Sequence, residues 1–268
     1  MTPTATYSAL NFYRRGLRGF SVLGKTVLDF GCGAVHPFDM STVFWLNGAA
    51  SCLAIDMRGL ESERVAANTL ADHIDEFRAA PDRWLIPGSS MGTFLQRLDG
   101  FDVNALRAGR LYGAIGSAAL THLIGRVQNA IAAPGSIDIV VSNTVIEHVA
   151  DLGDVARHLR TLLSRDGVMY HIVDYTDHGI HGDPKLNYWS FMTEGHEVPD
   201  IAAGGDMNKL RNSEVEAIFR EAGLIVSMDP LIRQTPPDSV LYNLLPKYQT
   251  MSPDDLELVT TGLRLTRT

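Results

Sequence analysis

The sequence predicts an α/β chain: a doubly wound, mostly parallel sheet with an inserted helical lid region and a C-terminal antiparallel strand. Three stretches carry that reading. Residues 26–37, TVLDFGCGAVHP, read as a buried strand running into a glycine-hinged loop and then a helix. Residues 51–56, SCLAID, form a second apolar strand that ends in a carboxylate about 20 residues beyond the glycines, the spacing at which a ribose hydroxyl pair would meet it. Residues 136–149, SIDIVVSNTVIEHV, are a β-branched strand that gives way at Asn143 to polar residues and a helix. Strands alternating with helices imply a parallel sheet covered on both faces.

Each element follows in chain order. Tyr7–Phe20 reads as a helix ahead of the first strand, with Leu10, Tyr13 and Leu17 at near-helical spacing and Arg14, Arg15 and Arg18 on other faces. Residues 1–24 are thus a helical cap. Pro37 suits the first turn of the helix after the glycine loop, and Glu61–Arg78 is the helix after the second strand. From Pro81 to Gly116 the chain mixes Trp84, Phe94, Leu98, Phe101 and Tyr112 with glycines, so residues 79–120 read as an inserted lid. The third strand is assigned to Leu123–Gln128, with Asn129 at its end.

Asp151–Ser164 is a helix on the three- and four-residue spacing of Leu152, Val155, Leu159 and Leu162. Asp166 and Gly167 then make a turn into a fifth strand, Val168–Asp174. Residues 175–212 form an acceptor-side loop region, in which Tyr188, Trp189, Phe191, Met192, His196 and Glu197 could roof a pocket. Asn212 or Ser213 opens a further helix, with Ser213 and Glu216 as a capping box and Gly223 as its stop. Ile225–Met228 and Leu256–Leu265 complete the sheet, and residues 1–268 read as a single domain.

At 268 residues, with 45% hydrophobic and 20% charged residues, the composition is that of a globular protein with one main core. No apolar run is long enough to span a bilayer, and the first 20 residues lack the features of a secretory leader, so a cytoplasmic location is expected. Cys32 and Cys52 have no Cys-x-x-Cys neighbour, which argues against a disulfide or a thiolate metal site. The net charge of −8 opposes binding to a phosphate backbone, and three clustered arginines are too few to reverse it. The expected partner is therefore a small molecule, with no nucleic acid and no membrane.

Taken together, the glycine turn, the acidic second-strand end and the triplet Glu147-His148-Val149 resemble the class I methyltransferases that use S-adenosylmethionine, whose fold is Rossmann-like. The resemblance spans Lys25–Arg58 and Ser136–Tyr175, with weaker support from Asn208–Leu224. It implies S-adenosylmethionine as cofactor, S-adenosylhomocysteine as product, and cofactor contacts from Asp29, Gly31, Cys32, Gly33, Asp56, Met57 and Asn143. Many relatives place an aspartate in the loop after the third strand, against the adenine amino group. Here the text is NAIAAPGS, which leaves Asn129 or the backbone for that task.

Methyl transfer to a hydroxyl requires a base beside the acceptor. His148 lies on the first turn after the fourth strand, and YHIVDYTDHGIHGD at residues 170–183 gathers three histidines and three aspartates. His148, His178 and Asp174 are the candidate catalytic groups, with Asp174 or Asp177 orienting His178. Tyr13, Arg14, Tyr188 and Trp189 are candidate acceptor contacts. Some relatives hold a divalent metal with the acidic and histidine residues of the fourth-strand motif. Thr144 stands where one such carboxylate would be, and His178, His181 and Asp183 match no strong ligand spacing, so a metal is possible but not favoured.

The expected reaction is methylation of an oxygen on a sugar-like or natural-product molecule. A nicotinamide-dependent oxidoreductase is the rival enzyme, weakened by the missing third glycine; a noncatalytic cofactor-binding protein is the other alternative.

Overall fold

The computed structural model describes residues 3–115, 119–129, 132–196 and 198–268. Gly116, Ala130, Ile131 and Glu197, which belong to stretches singled out above, lie outside them. The elements run α1 (Pro3–Gly16), β1 (Thr26–Phe30), α2 (Asp39–Leu46), β2 (Ser51–Asp56), α3 (Glu63–Ala79), α4 (Met91–Leu98), α5 (Val103–Arg107), α6 (Leu111–Ala114), β3 (Leu120–Ile124), β4 (Ile137–Asn143), α7 (Leu152–Leu162), β5 (Leu163–Asp174), α8 (Asn212–Glu221), β6 (Leu224–Arg233), α9 (Asp238–Leu241), α10 (Pro246–Gln249), α11 (Pro253–Glu257) and β7 (Leu258–Arg267). The seven strands form one sheet in the order β3-β2-β1-β4-β5-β7-β6, mostly parallel, with β7 antiparallel.

The chain forms two compact units. The first comprises Met1–Ser142, Thr161–Tyr170 and Arg267; the second comprises Asn143–Arg160, His171–Thr266 and Thr268. In the first, β1 pairs in parallel with β2 from Thr26↔Ser51 to Phe30↔Ile55 and with β4 on its other side, and β2 pairs with β3. Val27, Leu28, Ile139, Val140 and Val141 are fully buried, as strands covered on both faces require. The helices between β2 and β3 bring Trp84, Phe94, Leu98 and Phe101 into this core, where Phe77 meets Trp84 edge-on at 4.6 Å. Burial of these rings stabilises the segment by roughly 2 kcal/mol each.

Several boundaries differ from the sequence expectation. The third strand is Leu120–Ile124 and not Leu123–Gln128: Gly125 bends the chain at φ 143° and Val127–Asn129 is a 3-10 turn. The N-terminal helix lies at Pro3–Gly16, four residues ahead of the expected Tyr7–Phe20. Pro37 precedes α2, which starts at Asp39. β5 begins at Leu163, ahead of the expected Val168, and takes in Asp166 and Gly167, where the chain folds back on itself: a Cβ on Gly167 would lie 2.7 Å from the Leu163 side chain, four residues earlier, and 3.0 Å from the Asp138 carbonyl.

In the second unit, α8 begins at Asn212 and Glu214, not Glu216, reaches back to the Arg211 N–H at 2.9 Å. Ser213 donates instead to Asp255 at 2.6 Å, and Asn212 occupies Glu216. Gly223, at φ 81°, ends the helix as expected. Arg211 itself is buried and donates to the carbonyls of Tyr175, Asp255, Leu256 and Leu258, which ties the start of α8 to the approach to β7.

Candidate functional site

The glycine loop of the first unit is built by backbone geometry. Gly31 and Gly33 have φ of 74° and 89°, a region that a Cβ disfavours, and the space beside Gly33 is open. Gly31 and Cys32 donate to the Ile55 carbonyl at 2.8 and 3.2 Å, which extends the β1–β2 ladder past the strand ends. The Asp56 carboxylate accepts from Gly33 N–H at 2.9 Å and from Arg58 N–H at 2.9 Å. Each oxygen is engaged once and has lone pairs left for a ligand hydroxyl. Asp56 thus shapes the loop, a job the spacing alone did not disclose.

Asp29 is buried beneath this loop. Burial, then the charges of Asp39 and Asp56, push its carboxyl up to about 7, against a hydrogen bond from the Ser41 backbone. Burial also pushes up the pKa of the free Cys32 thiol, which disfavours its thiolate. Met57 is exposed, and the Asp56 carbonyl accepts from Gly125 N–H at 2.8 Å. Asn129 sits in the 3-10 turn after β3, its amide nitrogen near Gly125.

An aromatic group missed in the sequence stands in the same unit. Phe38, Tyr112 and His122 meet ring to ring, with centroids 5.9–6.5 Å apart, and Tyr112 and His122 stack and hydrogen-bond at 3.0 Å. Burial lowers the His122 pKa, against the pull of the Asp56 charge. The text THLI of β3 would have pointed to His122 had the strand been placed three residues earlier.

Two candidate acceptor contacts in this unit, Tyr13 and Arg14, have partners within the protein. Tyr13 is buried against Phe44 and Tyr170. Arg14 donates to the carbonyls of Arg83 and Leu85 and to Asn11, which anchors the segment after α3.

The second unit gathers the ionisable groups. Thr144, directly after Asn143, has φ 52°, strained for a β-branched residue, and its hydroxyl donates to the Asn143 carbonyl. The 3-10 turn Ile146–His148 follows. Glu147 is buried and neither carboxylate oxygen has a hydrogen-bond partner; burial, with the Asp174 charge beside it, holds its pKa well above the usual range.

His148 donates from Nδ1 to the Asp206 carbonyl. A carbonyl only accepts, so Nδ1 carries a proton, and Nε2 is the nitrogen with the lone pair in the neutral ring. His178 lies 4.9 Å from His148, ring to ring, with its Nδ1 3.9 Å from the Asp206 carboxylate. Burial and the neighbouring His148 lower its pKa, against the pull of Asp174 and Asp206. A ligand atom from each of Glu147, His148 and His178 lies within 4.8 Å of the others, a spacing a divalent cation could accept.

Asp174 accepts from Thr176 N–H and stays close enough to act on both Glu147 and His178. Asp177 does not orient His178. Its buried carboxylate lies 3.1 Å from His196 Nε2, accepts from Gly179 N–H at 2.8 Å, and makes a separate acid–imidazole pair. Trp189 is a core residue, not an acceptor contact: it is 4% exposed, donates to the Leu256 carbonyl at 2.8 Å and packs with Phe191, Met192 and Tyr248. Tyr188 is half-buried at the edge of that cluster. His171 stacks on Phe219, and burial holds it neutral, its pKa pushed down to about 3.

A family profile described as a methyltransferase domain matches residues 10–227. Among curated protein sequences none matches the chain. Solved structures share its fold. A Listeria monocytogenes protein assigned as an S-adenosylmethionine-dependent methyltransferase superposes with TM-score 0.52 at 14% identity, covering 97% of this chain and 98% of that one. A geranyl diphosphate methyltransferase in complex with S-adenosylmethionine gives 0.54 at 12%, covering 98% and 85%. The geranyl diphosphate C-methyltransferase of Streptomyces coelicolor gives 0.51 at 10%, covering 97% and 79%.

Proposed function

This chain belongs to the methyltransferase-domain family, and we propose that it methylates an oxygen of a small polar acceptor, a sugar-like or natural-product hydroxyl, with S-adenosylmethionine as donor. The residues of the first unit suit that cofactor: two glycines with positive φ admit its amino-acid end, Asp29 offers a carboxylate to its ammonium, and Asp56 has acceptor capacity for ribose hydroxyls. When bound, the cofactor supplies an electrophilic methyl on a sulfonium.

The observation that carries the acceptor reading is the imidazole pair. His148 is anchored through Nδ1–H, which turns Nε2 away as the nitrogen that can act as base, and burial lowers the pKa of His178 beside it, favouring its neutral form. A hydroxyl must lose its proton as it attacks, and a neutral imidazole turned by an anchored Nδ1 takes that proton. Burial raises the Glu147 pKa and so favours its uncharged form, which leaves Asp174 and Asp206 as the carboxylates acting on the pair.

Calorimetric titration tests the donor, and product formation across a panel of hydroxyl, amine and carbon acceptors tests the chemistry. S-adenosylhomocysteine is expected to bind and NAD to give no heat. Binding of NAD in its place, or methylation confined to carbon or amine acceptors, would overturn the respective half of the reading.

A further inference from the structure

Three arginines that take no part in the donor chemistry line a pocket. In the first unit, the last turn of α1, the loop after it and the segment Ile86–Gly88 surround a cavity of about 670 Å³, within the range of about 300–1,000 Å³ typical of small-ligand pockets. Arg14, Arg15 and Arg18 lie on its wall, Phe20, Ile86 and Pro87 supply apolar surface, and no carboxylate is among the lining residues. In a chain of net charge −8 this is a local reversal of sign.

Arg14 is pre-oriented. Its Nε and one terminal nitrogen donate to the Leu85 carbonyl at 3.1 and 2.7 Å, that nitrogen also reaches the Arg83 carbonyl at 2.5 Å, and the other donates to Asn11 at 2.9 Å. All these acceptors are neutral, so they fix the guanidinium without cancelling its charge. Arginines in a last helical turn ordinarily offset the helix dipole. That role requires neither a cavity nor an apolar wall.

The pocket is remote from the glycine loop within the unit. It adjoins Ser21, ahead of the first residue of β1, whereas the glycines follow the last, and five extended residues span about 16 Å. Ile86 is held by Asn47, just past the C-terminal end of α2, through an N–H bond of 2.6 Å.

We propose that this pocket binds a small phosphomonoester with an apolar body, at a site separate from the donor site. A phosphate dianion offers three acceptor oxygens to guanidinium forks, and the Phe20, Ile86 and Pro87 surface takes the body. The test is calorimetry on the full chain with phenyl phosphate, inorganic phosphate and phenol. Phenyl phosphate is expected to bind saturably and at least tenfold more tightly than either fragment, without displacing S-adenosylhomocysteine. Arg15→Gln/Arg18→Gln, which keeps part of each stem, is expected to weaken it tenfold or more while S-adenosylhomocysteine affinity, which reports that the variant is folded, stays unchanged.

No saturable binding of phenyl phosphate, or equal affinity in the double variant, would overturn the proposal. Equal affinity for inorganic phosphate would remove the apolar body from it. Because the readout is independent of the donor titration, failure here leaves the proposed function standing, and the reverse also holds.

Discussion

Asp29 illustrates how one residue couples the glycine loop to pH. Its carboxyl is raised to about 7 from an ordinary 3.8, so the folded chain holds that proton more tightly than the unfolded one. The stability it contributes is therefore complete below about pH 4 and is lost as pH rises through about 7. The melting temperature of the ligand-free protein is expected to fall across that window, and Asp29→Asn to flatten the fall. A cation placed against Asp29 favours the ionised form, so binding the donor near pH 6 should release a proton, measured as heat that varies with the buffer's ionisation enthalpy.

His178 makes the opposite case. Its pKa is lowered from 6.5, so the neutral base survives below the usual imidazole range and turnover should lose its acid limb only there. His178→Ala is expected to reduce turnover by about 10²–10⁴-fold with cofactor affinity unchanged; unaltered turnover would remove it as the base. These roles were legible to different degrees. Gly31, Gly33 and Asp56 act through local backbone geometry, which a short motif encodes. The partner of His148 is a carbonyl 58 residues away, and only folding brings it there.

At the scale of elements, the strands with continuous apolar runs were readable, and the errors fall at element boundaries. β5 starts at Leu163, five residues before the expected Val168, and the chain folds back within it, since a Cβ on Gly167 would lie 2.7 Å from the Leu163 side chain. Gly167→Ala should cost about 1–3 kcal/mol through overpacking, read as a lower denaturation midpoint at unchanged slope. The third strand was misplaced because LTHLI is short and only half-buried, so its edge position leaves little periodicity to detect. Helix α8 started where expected, but its cap came from Glu214. The spacing of Ser213 and Glu216 fits a capping box equally well, and Asp255, distant in sequence, decides the matter by taking the Ser213 hydroxyl.

For the whole molecule, alternating strands and helices were enough to anticipate the parallel sheet, whereas the chemistry of the second unit depends on the loop from 175 to 212, which has no periodicity to read. There the structure assembles Glu147, His148 and His178 from two separate segments. If imidazole alone carries the proton, turnover should survive exhaustive treatment with a strong chelator, and the isolated protein should hold substoichiometric metal by elemental analysis. Abolition by the chelator and recovery on adding a divalent ion would instead make the trio a metal centre.

The outermost strand, β6, contains Pro230, and one margin of the sheet is therefore interrupted. An imino acid has no amide hydrogen to offer, so an extended segment from another polypeptide sliding alongside would meet a missing rung midway. Ile225 and Ile232 present greasy side chains on that strand, and the gap between them is what discourages fibre-like stacking there.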